Sequence, residues 1–239
     1  MDTEQAKQFI SQAKNIYIIP DNKSREAIVC ALALFYTLKE LDKNVNLLEE
    51  DSPEALKFLL PSLDFITIPK NFVISVPSKV AEISQIYYEK NDDNLKIHLT
   101  VNKGNIKKEG LSFYFSEPKP DLLITFGIED LAAELQGRLN PYGFLLDSPV
   151  LNIDNRQNNK KFGRINLVED KPMAELSISL IKALGENLVK EKAAACLLSG
   201  LVLYTENFKN KVTADIFEIA GKLMKIGADI KEITDNIYK

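Results

Sequence analysis

The sequence is poor in the side chains that catalytic and metal sites use most often. It has one histidine, no tryptophan and two cysteines among 239 residues. Cys30 and Cys196 each lie inside an apolar segment with helical spacing, which favours core packing over a redox or metal role. A serine or cysteine nucleophile needs a base within hydrogen-bond reach, and the single histidine, His98, lies in a predicted hairpin. We therefore predict no catalytic residues of this kind.

Long apolar runs and a targeting segment are also missing. No stretch approaches the ~20 apolar residues that span a bilayer, and the N-terminus lacks the basic and apolar regions of a secretory signal. A net charge of -4 gives no general attraction to nucleic acid or anionic lipid. The ten glycines are scattered, without the spacing of a phosphate-binding loop. We expect a cytoplasmic protein without a membrane partner, in which any phosphate-bearing ligand needs a specific site.

Strand-like and helix-like segments alternate through most of the chain, whose apolar content of 45% is ordinary for a globular protein. "NIYIIP" predicts a buried strand, and Ser24 is placed to cap the helix that follows it. The same alternation predicts strands at 44–50, 64–69, 120–127 and 149–154, with helices at 52–60, 129–139, 173–184, 193–204 and 213–227. The helix at 193–204 is apolar on every side and should be central. This order of elements predicts an α/β fold with a mostly parallel sheet flanked by helices.

Residues 71–117 follow a different period. In "LKIHLTVN" and "LSFYFSE" apolar and polar residues alternate, which is typical of half-buried strands. The turn-forming "NDDN" joins 83–90 to 95–101 as a hairpin. We therefore predict an antiparallel β insertion within a single domain of residues 1–239. Its apolar residues Ile97, Leu99, Phe113 and Phe115 need a cover, either the main domain or a second copy, so a homodimer through the insertion is one expected partner.

The strand at 149–154 delivers Asp154, Asn155 and Arg156 to the edge of the sheet where α/β proteins place their ligands. Asp154 could pair with Arg156 or accept backbone N–H groups of the loop that follows. Lys160, Lys161 and Arg164 continue that loop, which is either a solvated basic segment or an anion site beside the cleft.

The order of these parts resembles the DHH family of phosphoesterases, whose members include oligoribonuclease-like and exopolyphosphatase-like proteins and single-strand exonucleases. The resemblance covers residues 10–70 and 119–238, and its most similar segments are "IYIIPDNKSREAIVCALALFYTLKELDKNV", "NIDNRQNNKKFGRINLVEDKPMAELSISLIKALG", "CLLSGLVLYTENF" and "AGKLMKIGADIKEITDNIY". It implies a chemistry in which two divalent cations, normally manganese, clamp a phosphate and activate a water.

The positions of the family's metal ligands are degenerate in this chain. The first cluster falls on Pro20–Glu26, which has Asp21 and Glu26 but Ser24 at an aspartate position and no histidine. Other ligand positions fall on Gly127 and Tyr204, and the signature aspartate and two histidines are reduced to Asp154, Asn155 and Arg156. A guanidinium in a ligand shell repels a dication. The resemblance therefore implies that manganese is the family's cofactor and that this chain holds none.

The function that follows is a non-catalytic DHH-like protein, a binding or assembly module for a phosphate-bearing small molecule or short oligonucleotide. Its candidate ligand-binding residues are Asp21, Ser24, Glu26, Asp154, Asn155, Arg156, Lys160, Lys161 and Arg164. The alternative is a divergent metal-dependent phosphoesterase acting on nucleotides or short oligonucleotides, with one cation on Asp21, Glu26 and Asp154. Relatives usually continue into a second, substrate-gripping domain. The sequence ends at "DNIYK", where that linker would begin, so either this domain is absent or the sequence stops short of it.

Overall fold

A computed structural model describes residues 3–48, 52–61, 71–116, 119–139 and 147–239. Its helices are α1 (Thr3–Gln12), α2 (Arg25–Glu40), α3 (Leu131–Gln136), α4 (Met173–Leu184), α5 (Glu191–Tyr204), α6 (Ala214–Ile226) and α7 (Ile230–Ile237). Its strands are β1 (Asn15–Pro20), β2 (Asn44–Leu47), β3 (Asn71–Ser75), β4 (Ala81–Lys90), β5 (Leu95–Gly104), β6 (Ser112–Ser116), β7 (Leu122–Phe126), β8 (Val150–Asp154) and β9 (Ile165–Val168). The chain divides into two compact units, 1–68 with 119–239, and 69–118.

The larger unit is built on a five-stranded parallel sheet with the order β2-β1-β7-β8-β9. The predicted α/β class and parallel sheet are confirmed. Among the described α-helices and strands, three were not predicted: α1, β9 and α7. Strand β9 has four residues with Asn166 in the middle, and α1 buries only Ala6 and Ile10, so neither presents an apolar pattern long enough to be recognised.

The two faces of the sheet are covered unequally. Side chains alternate along β1, so Ile16 and Ile18 join the larger core, whereas Tyr17 and Ile19 join a smaller one on the opposite face. Helix α5 packs mainly against α2 within the larger core and is buried along most of its length, which confirms its predicted central place. Helix α3 contributes to the smaller core, and among the described residues the second face is covered by this short helix and by loops.

Several boundaries differ from the predictions. The helix predicted at 52–60 is a 3-10 helix over Glu54–Leu59, and the strand predicted at 64–69 lies outside the described residues. Ser24 caps α2 as expected, since its hydroxyl oxygen accepts the Ala27 N–H at 3.2 Å. No helix among the described residues is both long and apolar enough to cross a membrane.

The smaller unit contains two antiparallel strand pairs. Strands β4 and β5 form the predicted hairpin, and β3 pairs with β6. Neither pair belongs to the parallel sheet. The predicted antiparallel character of this segment is therefore confirmed.

Candidate functional site

Strands β1, β7 and β8 run in one direction and end at the same edge of the sheet. Loops that leave these ends border a cleft of about 410 Å³. We call it the strand-end cleft. The described residues that line it include four carboxylates and three cations: Asp21, Lys23, Ile128, Glu129, Asp130, Ala133, Glu134, Arg156 and Lys160. A phosphate therefore meets a nearly neutral surface rather than a strongly basic one.

Asp154, at the end of β8, is fully buried and has no free acceptor site for a ligand. Its Oδ1 accepts the N–H groups of Asn155 at 2.8 Å and Arg156 at 3.1 Å, which is a strand-end turn. The Arg156 side chain bonds both carboxylate oxygens, with Nε 3.1 Å from Oδ1 and Nη2 3.1 Å from Oδ2. The two arrangements that the sequence left open, pairing with Arg156 and backbone acceptance, therefore occur together.

Arg156 binds two further acceptors at this edge. Its Nη2 donates to the carbonyl oxygen of Gly127, and its Nη1 lies 3.7 Å from Oδ2 of Asp21. Gly127 has a φ of +63°, a left-handed conformation that favours glycine. One guanidinium therefore joins the ends of β1, β7 and β8.

An amide network beneath Arg156 was not predicted from the sequence. Asn159 donates to Oδ2 of Asp154 at 2.7 Å and to the carbonyl of Ile128 at 2.8 Å. Its own Oδ1 accepts from Asn152, whose Oδ1 accepts the Thr125 hydroxyl. The available signal was Asn152 itself, a polar residue in the middle of a buried apolar strand, where a side chain needs a hydrogen-bond partner.

Glu26 connects three segments at the partly buried end of α2. Its carboxylate accepts the N–H of Met173, at the start of α4, at 2.7 Å, and the Asn155 amide at 3.2 Å. Burial raises the pKa of Glu26 from 4.5 to about 7. The backbone bond to Met173, the Asn155 amide and the charge of Lys211 oppose that shift only in part. Glu26 is therefore a structural acceptor whose charge is poorly solvated.

The other acidic candidate, Asp21, begins the turn into α2. Its Oδ1 accepts the Lys23 N–H at 3.0 Å, and its carbonyl accepts the Ser24 N–H. These bonds order the turn that precedes the Ser24 cap, while Oδ2 faces Arg156. Asp21 thus lies at the cleft, but part of its carboxylate has a local backbone role.

The three basic candidates of the β8–β9 loop separate in space. Lys160 lines the strand-end cleft and pairs with Asp130 at 2.6 Å, which raises the pKa of the Lys160 ammonium and lowers that of Asp130. Lys161 is exposed with a φ of 48°. Arg164 lies over the Phe9 ring of α1, at 5.2 Å from its centroid. Arg164 precedes β9, and a parallel strand starts at the end of the sheet opposite to the carboxyl ends where Arg156 lies. Arg164 is therefore not brought together with Arg156.

Tyr204, at a degenerate ligand position, ends α5 and is followed by an unusual turn. Glu206, Asn207 and Phe208 are all left-handed, with φ of 50°, 62° and 58°. Farther along the same loop, Lys211 Nζ lies 4.8 Å from the centroid of the Tyr204 ring. Partial burial raises the pKa of the Tyr204 hydroxyl.

The donor set does not fit the pair of divalent cations that the family resemblance implies. Both oxygens of Asp154 and the Gly127 carbonyl accept from a guanidinium, which keeps its positive charge at any working pH. Within the described ranges, no group of three or more histidine, cysteine, aspartate and glutamate residues is arranged to hold a metal ion. We derive no metal-dependent step for this cleft.

No protein-family model matches the sequence, and no curated protein matches it. Among solved structures, the chain is similar to an exopolyphosphatase-related protein from Bacteroides fragilis, with a TM-score of 0.68 and 17% identity. The match covers 99% of this chain and 59% of that one. A match to the exonuclease RecJ bound to manganese has 14% identity and a TM-score of only 0.41, and covers 99% and 61% of the two chains. The likeness to the first structure concerns the fold alone, and it agrees with the α/β fold that the sequence predicts.

Proposed function

We propose that this chain is a non-catalytic protein of the DHH-like fold that acts as a binding or assembly module. The observation that carries the proposal is the position of Arg156. Its guanidinium neutralises Asp154 and joins three strand ends at the edge where the resemblance implies a metal pair. Arg156 thus supplies the positive charge that a dication would supply to these oxygens. Unlike a bound dication, this side chain cannot dissociate and cannot activate a water.

The geometry gives less support to the alternative, a phosphoesterase with one cation on Asp21, Glu26 and Asp154. Asp154 has no vacant oxygen, and Glu26 bonds Met173 and Asn155. A cation would have to displace Arg156, which leaves the guanidinium beside a new positive charge.

We expect the purified protein to bind no stoichiometric manganese and to show no manganese-dependent hydrolysis of a dinucleotide or of bis-p-nitrophenyl phosphate. Calorimetric titration with manganese, elemental analysis and the phosphodiesterase assay measure this. The matched variant is Asn155→His with Arg156→His, which removes the guanidinium and restores the two signature histidines. It should gain manganese affinity that the original chain lacks. Stoichiometric manganese with turnover in the unmodified chain would refute the proposal.

Binding of a phosphate-bearing ligand at the strand-end cleft stays a prediction. Arg156 and Lys160 are already paired with carboxylates, so we expect millimolar affinity for a nucleoside monophosphate, weakened further by salt. Amide NMR shifts at residues 154–160 measure it. Lys160→Met should weaken binding, whereas Arg164→Met, which removes a cation outside the cleft, should not. Absence of shifts at millimolar ligand would leave the cleft with a structural role only.

A further inference from the structure

The β4–β5 hairpin has one apolar and one polar face. Residues that stand opposite each other share a face, and residues alternate along each strand. The pairs Ile86–Leu99 and Tyr88–Ile97 therefore lie on one face, with Leu95 and Val101. The other face carries Gln85, Glu89, Lys96 and Thr100, together with Tyr87 and His98, whose rings are stacked. We call the first surface the apolar hairpin face.

The side chains of this face are exposed within the smaller unit. Ile86 is 70% exposed, Tyr88 72%, Leu95 62% and Ile97 50%. Within the part of the chain that the structure describes, neither β4 nor β5 has a second strand neighbour. An isolated two-stranded hairpin is only marginally stable in water, and antiparallel sheets normally cover one face and solvate the other. The hairpin therefore has the residue pattern of an antiparallel sheet whose apolar face is covered and whose polar face is solvated.

We propose that the apolar hairpin face is covered by the same face of a second copy of this chain. The area agrees with a reversible dimer. The exposed parts of the four side chains and of Val101 amount to on the order of 600 Å² per copy, hence ~1,200 Å² in all, the lower limit of specific interfaces. Apart from Lys90, which stands opposite Leu95 at the turn end, the side chains of this face are uncharged, so an identical surface complements them without an unpaired ion at its centre.

The charge of Lys90 at the turn end favours antiparallel packing of the copies. Lys90 stands opposite Leu95 at the turn end, and Glu82 stands opposite Lys103 at the open end. The register of the hairpin is regular from Gln85 to Lys90, and a two-fold axis near Ile86 keeps the Lys90 side chains of the two copies apart. The parallel alternative brings two Lys90 ammonium groups together, which is repulsive. The axis therefore passes close to the Ile86 side chains.

This inference deepens the assembly role proposed above and rests on it. It is independent of metal chemistry, since manganese-dependent turnover would refute the non-catalytic proposal without changing the expected dimer. Conversely, a monomeric chain would refute the dimer and leave the non-catalytic interpretation of the cleft unchanged.

The test uses the full chain and substitutions at two adjacent exposed positions on opposite faces. Sedimentation equilibrium should show a concentration-dependent dimer. Ile86→Lys should raise its Kd at least tenfold, whereas Gln85→Lys should change it less than threefold. Because both native cysteines are buried, oxidation of Ile86→Cys should give a disulfide-linked dimer, and Gln85→Cys should give none. Circular dichroism verifies that the variants fold.

Three results would overturn the proposal. The first is a monomer at 200 μM, the second is equal weakening by Ile86→Lys and Gln85→Lys, and the third is a cross-link that forms equally at both positions. Binding of the monomer to phospholipid vesicles, abolished by Ile86→Lys, would assign the face to a membrane surface instead and would also overturn it.

Discussion

Replacement of Arg156 by methionine should lower the free energy of unfolding by about 2–3 kcal/mol. This is less than the ~3–5 kcal/mol of a fully buried ion pair, because the Arg156 side chain is 36% exposed. Asp154 is fully buried and would keep two backbone N–H bonds and the Asn159 amide, but no positive charge. Methionine keeps the length of the side chain, so the loss reports the charge and its hydrogen bonds rather than a large cavity. Urea unfolding at pH 7, followed by circular dichroism, measures the change.

Arg164→Met is the matched control, because it removes another arginine from the same loop. Arg164 is exposed and stacks on Phe9, so its loss should cost less than about 1 kcal/mol. Asp154→Asn combined with Arg156→Met should recover part of the lost stability, because the buried charge is then absent. If Arg156→Met and Arg164→Met lower the free energy of unfolding equally, the bonds of Arg156 to the three strand ends make no special contribution to stability.

Replacement of Glu26 by glutamine should raise stability at pH 8 by up to about 3 kcal/mol and should have little effect below about pH 4.5. The folded-state pKa of Glu26, about 7, lies above its ordinary value of 4.5. Between these values the folded chain holds a proton that the unfolded chain has released. Unfolding then releases a proton, so stability falls as the pH rises from about 4.5 to about 7. Above pH 7, Glu26 is ionised in both the folded and the unfolded chain, so the buried charge destabilises the fold in full.

Glutamine suits this position because its carbonyl oxygen can still accept the Met173 N–H, which Glu26 accepts at 2.7 Å. Chemical unfolding of both proteins between pH 4 and pH 8 gives the two curves. The control is Glu232→Gln, which replaces an exposed glutamate in the first turn of α7. Parallel curves for Glu26→Gln and the original chain would contradict the proposed pKa.

The fold class could be predicted from the sequence because it depends on local patterns of apolar and polar residues. Alternation of buried strands and amphipathic helices predicts a parallel sheet, and Ser24 begins α2 through a hydrogen bond within its own turn. The period-two pattern of 95–101 likewise separated the hairpin from the parallel sheet. Elements with short or interrupted patterns, α1 and β9, were missed because their apolar residues meet partners that are distant in sequence.

The partners of each candidate residue were decided by tertiary structure. Arg156 and Arg164 belong to one basic run in the sequence, but the chain crosses from one edge of the sheet to the other between them, so one clasps Asp154 and the other stacks on Phe9. Asn159 shows no local signal, because its role arises only when Asp154 and Ile128 approach it from two strand ends. The sequence by itself predicted most of the elements and which ligand side chains are absent. Packing decided that a partly exposed guanidinium lies where those ligands would stand, because the fully buried carboxylate of Asp154 is stabilised by an opposite charge beside it.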